Sequence, residues 1–277
     1  MTGQPAVRGK KLRLRRILND LATAFSFVLI GYSAIMIVWI LFIQIPLSMG
    51  RFDSSLNGLS PKPEDRMLRL TELQRINPDI VGWILVDGTK ISYPVLHDGG
   101  IRPDAPNQSE AIYHYLYYDY KERRSAVGCI MADYRNMPDL SDPYTIIYGH
   151  NLGQKGVMFS DLKKFEEEAF FFDNPTAHLF SARGREDLML LLAAHVSGYS
   201  EEVYGTEDLD QEMENPFDAA AGLRFLQEHA LYAGTDTLPT EDRYVLLSTC
   251  YDHEDPDNPL RLVLLYRVVE RSSPGSK

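Results

Sequence analysis

The chain has 277 residues, 44% of them hydrophobic and 24% charged, enough apolar material to fill a core and to exclude wholesale disorder. Two cysteines rule out a disulfide-dense secreted scaffold, and without a Cys-x-x-Cys pair a cysteine-rich zinc site is excluded as well. The formal net charge of −11 argues against a nucleic-acid binder, whose domain needs a basic surface.

That charge is unevenly spread. Residues 1–16 carry Arg8, Lys10, Lys11, Arg13, Arg15 and Arg16 and no acid, so the remainder is more acidic than the average. Between Asp20 and Arg51 there is no charged residue at all. Residues 22–45 are apolar apart from small residues, Tyr32 and Gln44. As a helix they reach roughly 36 Å, enough to cross a hydrocarbon core of about 30 Å with some tilt. A buried helix of a soluble protein rarely runs so far without a polar face. A cleaved signal peptide is the stronger rival, because the arm has the character of an n-region and Ser48-Met49-Gly50 is small-x-small. Its apolar core, however, runs only about 7–15 residues. The expectation is an uncleaved transmembrane signal anchor over residues 21–47. The basic arm, residues 1–20, is then cytoplasmic and the rest of the chain extracytoplasmic.

Residues 48–62 are rich in Gly, Ser and Pro and read as a stalk. A helix is expected over 63–76, where Met67, Leu68, Leu70, Leu73 and Ile76 recur at helical spacing before Asn77-Pro78 stops it. From Ile80 the pattern changes to short β-type runs: 80–86, a turn at Asp87-Gly88, 90–96, 128–132, 145–148, 178–182, 188–197, 244–248 and 262–269. Helical stretches interrupt them at 159–171 and 216–231. Eight short strands in about 190 residues predict one mainly β domain, a barrel or sandwich decorated with helices, over residues 77–270, with 271–277 as a tail.

Candidate chemistry lies at strand ends. Cys129 sits within an apolar strand and reads as a small buried hydrophobe. Cys250 ends the run Tyr-Val-Leu-Leu-Ser-Thr-Cys and meets a polar, acidic loop, where a thiolate could reach a substrate. A strand-end cysteine taken alone is more often structural. A cysteine nucleophile needs a proton partner, and His150 stands at the end of Thr-Ile-Ile-Tyr-Gly-His, at the same kind of junction. His253, three residues past Cys250, is its competitor, whereas His195 lies inside an apolar strand and reads as core. Arg261 opens the next strand; if the strands flanking the loop pair as neighbours, its side chain returns to the rim that holds Cys250 and can stabilise an oxyanion.

These residues resemble the sortase family, and among sortases the chain is most similar to class B. The resemblance is carried by Asp79-Ile80-Val81-Gly82-Trp83-Ile84, Ile91-Ser92-Tyr93-Pro94-Val95 and Gly128-Cys129-Ile130-Met131-Ala132-Asp133-Tyr134-Arg135-Asn136. It continues through Thr145-Ile146-Ile147-Tyr148-Gly149-His150-Asn151, Met158-Phe159-Ser160-Asp161-Leu162 and Leu246-Leu247-Ser248-Thr249-Cys250, with Arg261 opening the closing strand. The motifs keep the family's order across residues 77–269. One departure is Val245, where a Thr often stands.

The resemblance implies an eight-stranded sortase-type β-barrel preceded by a single transmembrane helix. It implies Cys250 as nucleophile, His150 as general acid/base and Arg261 as oxyanion or substrate clamp. Asp252 would support Arg261 or the active-site loop, and Ser248 and Thr249 would line the substrate groove. The implied enzyme is a membrane-anchored cysteine transpeptidase without cofactor or metal. It would cleave a C-terminal sorting signal of secreted proteins and transfer the acyl group to an amine of a peptidoglycan precursor or a pilin; nucleic acid is not among its partners. A cysteine hydrolase needs the same three residues and stays open, as does a non-catalytic exported binding barrel. An approach of Cys129 to Cys250 would silence the enzyme through a disulfide.

Overall fold

A computed structural model of the chain describes residues 19, 21, 23, 25–37, 70–153, 156–205, 219–234, 238–250 and 259–272. The chain divides into two compact units, Met1–Arg51 and Phe52–Lys277. In the first, residues 25–37 are helical, and Phe25, Phe27, Val28, Ile30 and Ile35 are all exposed. Among the described residues no helix is long and apolar enough to cross a membrane. Residues 38–47 of the expected span lie outside the described residues, as do the basic arm up to residue 18 and the stalk.

Among the described residues the second unit has nine strands: β1 (Ile80–Val86), β2 (Ser92–Leu96), β3 (Ile130–Ala132), β4 (Tyr144–Gly149), β5 (Thr176–Ser181), β6 (Gly184–Ser197), β7 (Ala230–Ala233), β8 (Tyr244–Cys250) and β9 (Leu260–Ser272). Their order is β5-β1-β2-β3-β4-β8-β9-β6-β7, and β5 also pairs with β6. That last pairing closes an eight-strand ring, leaving no barrel edge open among those eight. β7 stands outside the ring on β6. Every strand read from the sequence forms.

The extra strand explains one difference from the expected pattern. Of the helix expected over 216–231, residues 216–218 lie outside the described residues, Ala219–Glu228 is helical, and Ala230–Ala233 becomes β7. β5 occupies β6 only from Gly184 to Met189, so the same edge is free further along, and β7 pairs there with residues 192–194. Tertiary pairing thus overrides local helix propensity in Ala-Leu-Tyr-Ala. The helix lays Leu223 and Leu226 on the core beside Leu191 and Leu192, each worth about 1.5–3 kcal/mol in burial. Over this stretch β6 is buried at consecutive positions, whereas its first half alternates, as expected where only one face is covered.

Two further differences are local. The helix expected over 159–171 is observed as a 3-10 helix, Ser160–Glu166, followed by an α-helix, Glu168–Asp173. The expected 63–76 helix is described only at 70–74, where Leu70 and Leu73 are buried; Ile76 is exposed because the chain has already turned before Pro78. Residues 63–69 lie outside the described residues.

Two parallel pairings, β2–β3 and β4–β8, interrupt the otherwise antiparallel ring. Parallel neighbours need long crossovers. The first carries the short helices Gln108–Ile112 and His114–Tyr117, and the second the long connection from residue 150 to 243. The base of β8 is fastened by an ion pair whose acid is buried. Arg243 donates from Nη1 to Glu186 Oε1 at 2.5 Å, and its Nη2 donates to the Leu140 carbonyl at 2.6 Å. The Glu186 side chain is 1% exposed. Removing the arginine strands the buried carboxylate, so Arg243→Ala is expected to lower stability by about 3 kcal/mol. Urea unfolding of the parent and variant measures the difference; a midpoint shift no larger than that of Glu270→Ala, an exposed residue of β9, would remove the clamp from the account.

Candidate active site

Strand direction assembles the site. β4 and β8 run parallel in the register Tyr148↔Ser248 and Gly149↔Thr249, so both end at one rim of the barrel. β9 runs antiparallel to β8 in the register Cys250↔Arg261, so it begins where β8 ends. His150 follows the last residue of β4. Adjacent strands lie about 4.8 Å apart, so the three backbone positions span roughly 10 Å of rim.

Gly149 is where the chain leaves β4, and its lack of a side chain is a packing requirement. A Cβ there would stand 2.4 Å from Ile130 Cδ1 and 2.8 Å from the Phe159 ring. Phe159 returns below the loop, its amide donating to the His150 carbonyl at 3.0 Å. The His150 ring is half-buried, and its Nε2 lies 2.8 Å from the carbonyl oxygen of Leu116.

A cavity of about 160 Å³ opens at this rim, lined among others by Tyr113, Tyr148, His150, Tyr204, Ser248 and Arg261. It brings His150, Arg261 and Ser248 together. Thr249, next along β8, is 1% exposed and is not among the lining residues, because successive side chains of a strand take opposite faces. Cys250 closes β8 at the same rim. Asp252 and His253 lie outside the described residues. His195 differs from its expected core setting: it is half-buried and pairs through Nε2 with Glu166 Oε1 at 2.6 Å.

Cys129 is a free, fully buried thiol, so no bond joins it to Cys250. Burial pushes its thiol well up from the ordinary range, which suits a packed hydrophobe and not a nucleophile. Among the described residues no group of His, Cys, Asp or Glu has the arrangement to hold a metal ion.

The cavity walls depend on residues whose role is not evident in the sequence. Tyr148 donates to Asp133 Oδ2 at 2.8 Å, and burial holds its phenol protonated for that bond. Arg135 donates to both oxygens of Asp133 at 2.8 Å and reaches the Tyr204 carbonyl at 2.7 Å. The Tyr204 hydroxyl lies 2.9 Å from Ser248 Oγ. One buried ion pair therefore ties β4, the segment after β6 and β8 around the cavity. Asp133 and Arg135 stand inside a quoted motif, but nothing in their spacing reveals Tyr204 as the partner, 69 residues away.

No family model matches the chain. A curated sortase B of Listeria monocytogenes serovar 1/2a is 28% identical over 209 residues, covering 73% of this chain and 74% of that protein. The crystal structure of sortase B from B. anthracis in complex with AAEK1 is 30% identical, covers 73% of this chain and 85% of that one, and superposes with a TM-score of 0.56. The structure of a sortase B complexed with Gly3 is 25% identical, covers 74% of this chain and 87% of that one, with a TM-score of 0.57.

The Asp133 and Arg135 side chains are 0% and 3% exposed. Removing one partner leaves an unpaired buried charge, so Asp133→Ala is expected to cost about 3–5 kcal/mol. The double variant Asp133→Ala/Arg135→Met is expected to cost less than the single one. Urea unfolding of the three proteins checks this; a double variant worse than Asp133→Ala would assign the energy to packing instead.

Proposed function

The chain belongs to the sortase family, class B, and from that premise we propose that it is a membrane-anchored transpeptidase in which Cys250, His150 and Arg261 act together on a C-terminal sorting signal. The observation that carries this reading is the meeting of β4, β8 and β9 at one rim, with Cys250 opposite Arg261 and with His150 and Arg261 in one cavity.

In the proposed reaction the Cys250 thiolate attacks the carbonyl carbon of a Thr–x bond. Arg261 stabilises the oxyanion that forms. The carbon–nitrogen bond breaks as His150, in its protonated form, gives a proton to the leaving amine, and a thioester remains. An acceptor amine then attacks the thioester, His150 takes up its proton, and the thiolate departs with the electron pair of the carbon–sulfur bond. A guanidinium and an imidazolium at the rim favour the thiolate form of Cys250. Ser248, on the cavity wall, contributes to the substrate groove, and Asp252 supports the loop that follows Cys250.

Peptidoglycan precursors and pilins both supply suitable primary amines. A related sortase B has been solved with Gly3, which favours a peptide amine of that kind as the probe. Anchoring is supported by the charge-free stretch between Asp20 and Arg51 behind a basic arm. It is supported too by the exposed apolar side chains along the helix 25–37, a surface that water disfavours and lipid accepts. An anchor there keeps residues 1–20 cytoplasmic and the enzyme beside its secreted substrates at the outer face.

The full-length protein incubated with candidate sorting peptides, with and without triglycine, is expected to give a peptide–triglycine ligation product by mass spectrometry. Cys250→Ala is expected to abolish it, and Arg261→Ala to slow it by about 10²–10³-fold. Cleavage at the same rate without any ligated product would identify a hydrolase. An alkylated Cys250 with undiminished ligation would exclude it as nucleophile.

A further inference from the structure

A helix ends in carbonyls that its own amides cannot reach. In the helix His114–Tyr117 three of these accept backbone amides: His114 from Tyr118 at 3.1 Å, Tyr115 from Cys129 at 2.6 Å and Tyr117 from Ser125 at 2.8 Å. The fourth, that of Leu116, is met by a side chain, Nε2 of His150 at 2.8 Å. A carbonyl oxygen only accepts, so Nε2 is the ring nitrogen that carries the hydrogen. That hydrogen is present in the neutral ring and in the cation alike. Nδ1 is left as the one nitrogen able to gain and lose a proton.

The Leu116 carbonyl stands where it does because residue 128 has no side chain. Gly128 adopts a φ of +61°, and a Cβ built on it would fall 2.3 Å from the Leu116 oxygen and 2.7 Å from its carbonyl carbon. These contacts are with backbone, which cannot rotate away. The amide that fastens the neighbouring carbonyl, Tyr115, belongs to Cys129, the next residue. Gly128 and the strand it leads into therefore fix the height of the whole helix end against the barrel.

We propose that Leu116 and Gly128 are positioning residues for His150: the Gly128–Leu116 contact holds the imidazole as its Nε2–H form, so that Nδ1 is the atom that delivers the proton to the departing amine and takes one from the incoming amine. This deepens the reading of His150 as the acid/base and rests on it. Neither residue needs to touch the reacting atoms. Their contribution is to remove the competing tautomer, whose Nε2 would set a lone pair against the carbonyl oxygen.

Two-bond proton–nitrogen correlations of histidine-labelled full-length protein report which ring nitrogen carries the hydrogen. His150, assigned by its loss in His150→Gln, is expected as the Nε2–H tautomer in its neutral form; an Nδ1–H tautomer overturns the proposal, whatever the variants do. Gly128→Ala is expected to give mixed tautomers and to lower kcat for ligation by roughly 10- to 100-fold, as misplaced acid/base groups do, with KM for the peptide within about twofold. Gly99 serves as the control, because it shares a positive φ of +75° but a Cβ there would meet nothing within 4 Å. Gly99→Ala is expected to keep kcat. A folded Gly128→Ala protein with unchanged kcat overturns the proposal, and if that variant fails to fold the parent spectrum still decides. His150→Gln with full ligation activity would overturn the acid/base role itself, a result separate from the tautomer.

Discussion

The parallel pairing of β4 with β8 is the constraint on which the rest of the site depends. Parallel strands finish at the same end of a sheet, so their exits, at His150 and Cys250, come to one rim although 100 residues separate them in sequence. β9 leaves β8 antiparallel and so begins at that rim, which brings Arg261 opposite Cys250. Had β4 run the other way, His150 would emerge at the far end of the barrel. Such a pairing requires a long crossover, and the extra chain becomes the helices and the β7 annex that cover the barrel.

Polar groups buried around the cavity act as cross-ties in this arrangement. Asp133 and Arg135 join Tyr148 on β4 to Tyr204 beyond β6, and Tyr204 in turn meets Ser248 on β8. Arg243 and Glu186 do the same at the opposite end of β8. Apolar packing alone fixes distances loosely, because hydrophobic contact has no preferred direction. Hydrogen-bonded pairs in a low-dielectric interior do have one, and an unmade bond there is costly. The walls of the cavity are therefore directed by a few bonds, while the bulk of the stability comes from the apolar interior around Trp83, Phe180, Leu246 and Val263.

Much of the fold was legible along the chain. Each barrel strand carries a short apolar run bounded by turn residues, and Asp87-Gly88 turns β1 into β2. The boundaries of β5, β6, β8 and β9 shifted because pairing extends a strand past its apolar core, as β9 does along β6. The misread segments share a cause. Ala230–Ala233 became β7 only because β5 stops short and leaves an edge of β6 free. The short helix His114–Tyr117, which no apolar period marks, is held by contacts with Gly128 and Cys129, and Thr249 faces away from the cavity that Ser248 lines.

The sequence by itself determined the barrel strands, the charge-free apolar stretch behind a basic arm, and the candidate trio Cys250, His150 and Arg261, because each is marked by local periodicity, charge or position at a strand end. Only the tertiary structure decided that the eight strands close into a ring, that Tyr113, Tyr148 and Tyr204 wall the cavity, and that the Leu116 carbonyl faces the His150 ring. The physical reason is range. Periodicity and turn chemistry act over a few residues, whereas register, ring closure and hydrogen bonds between distant segments exist only after the backbone has been brought together.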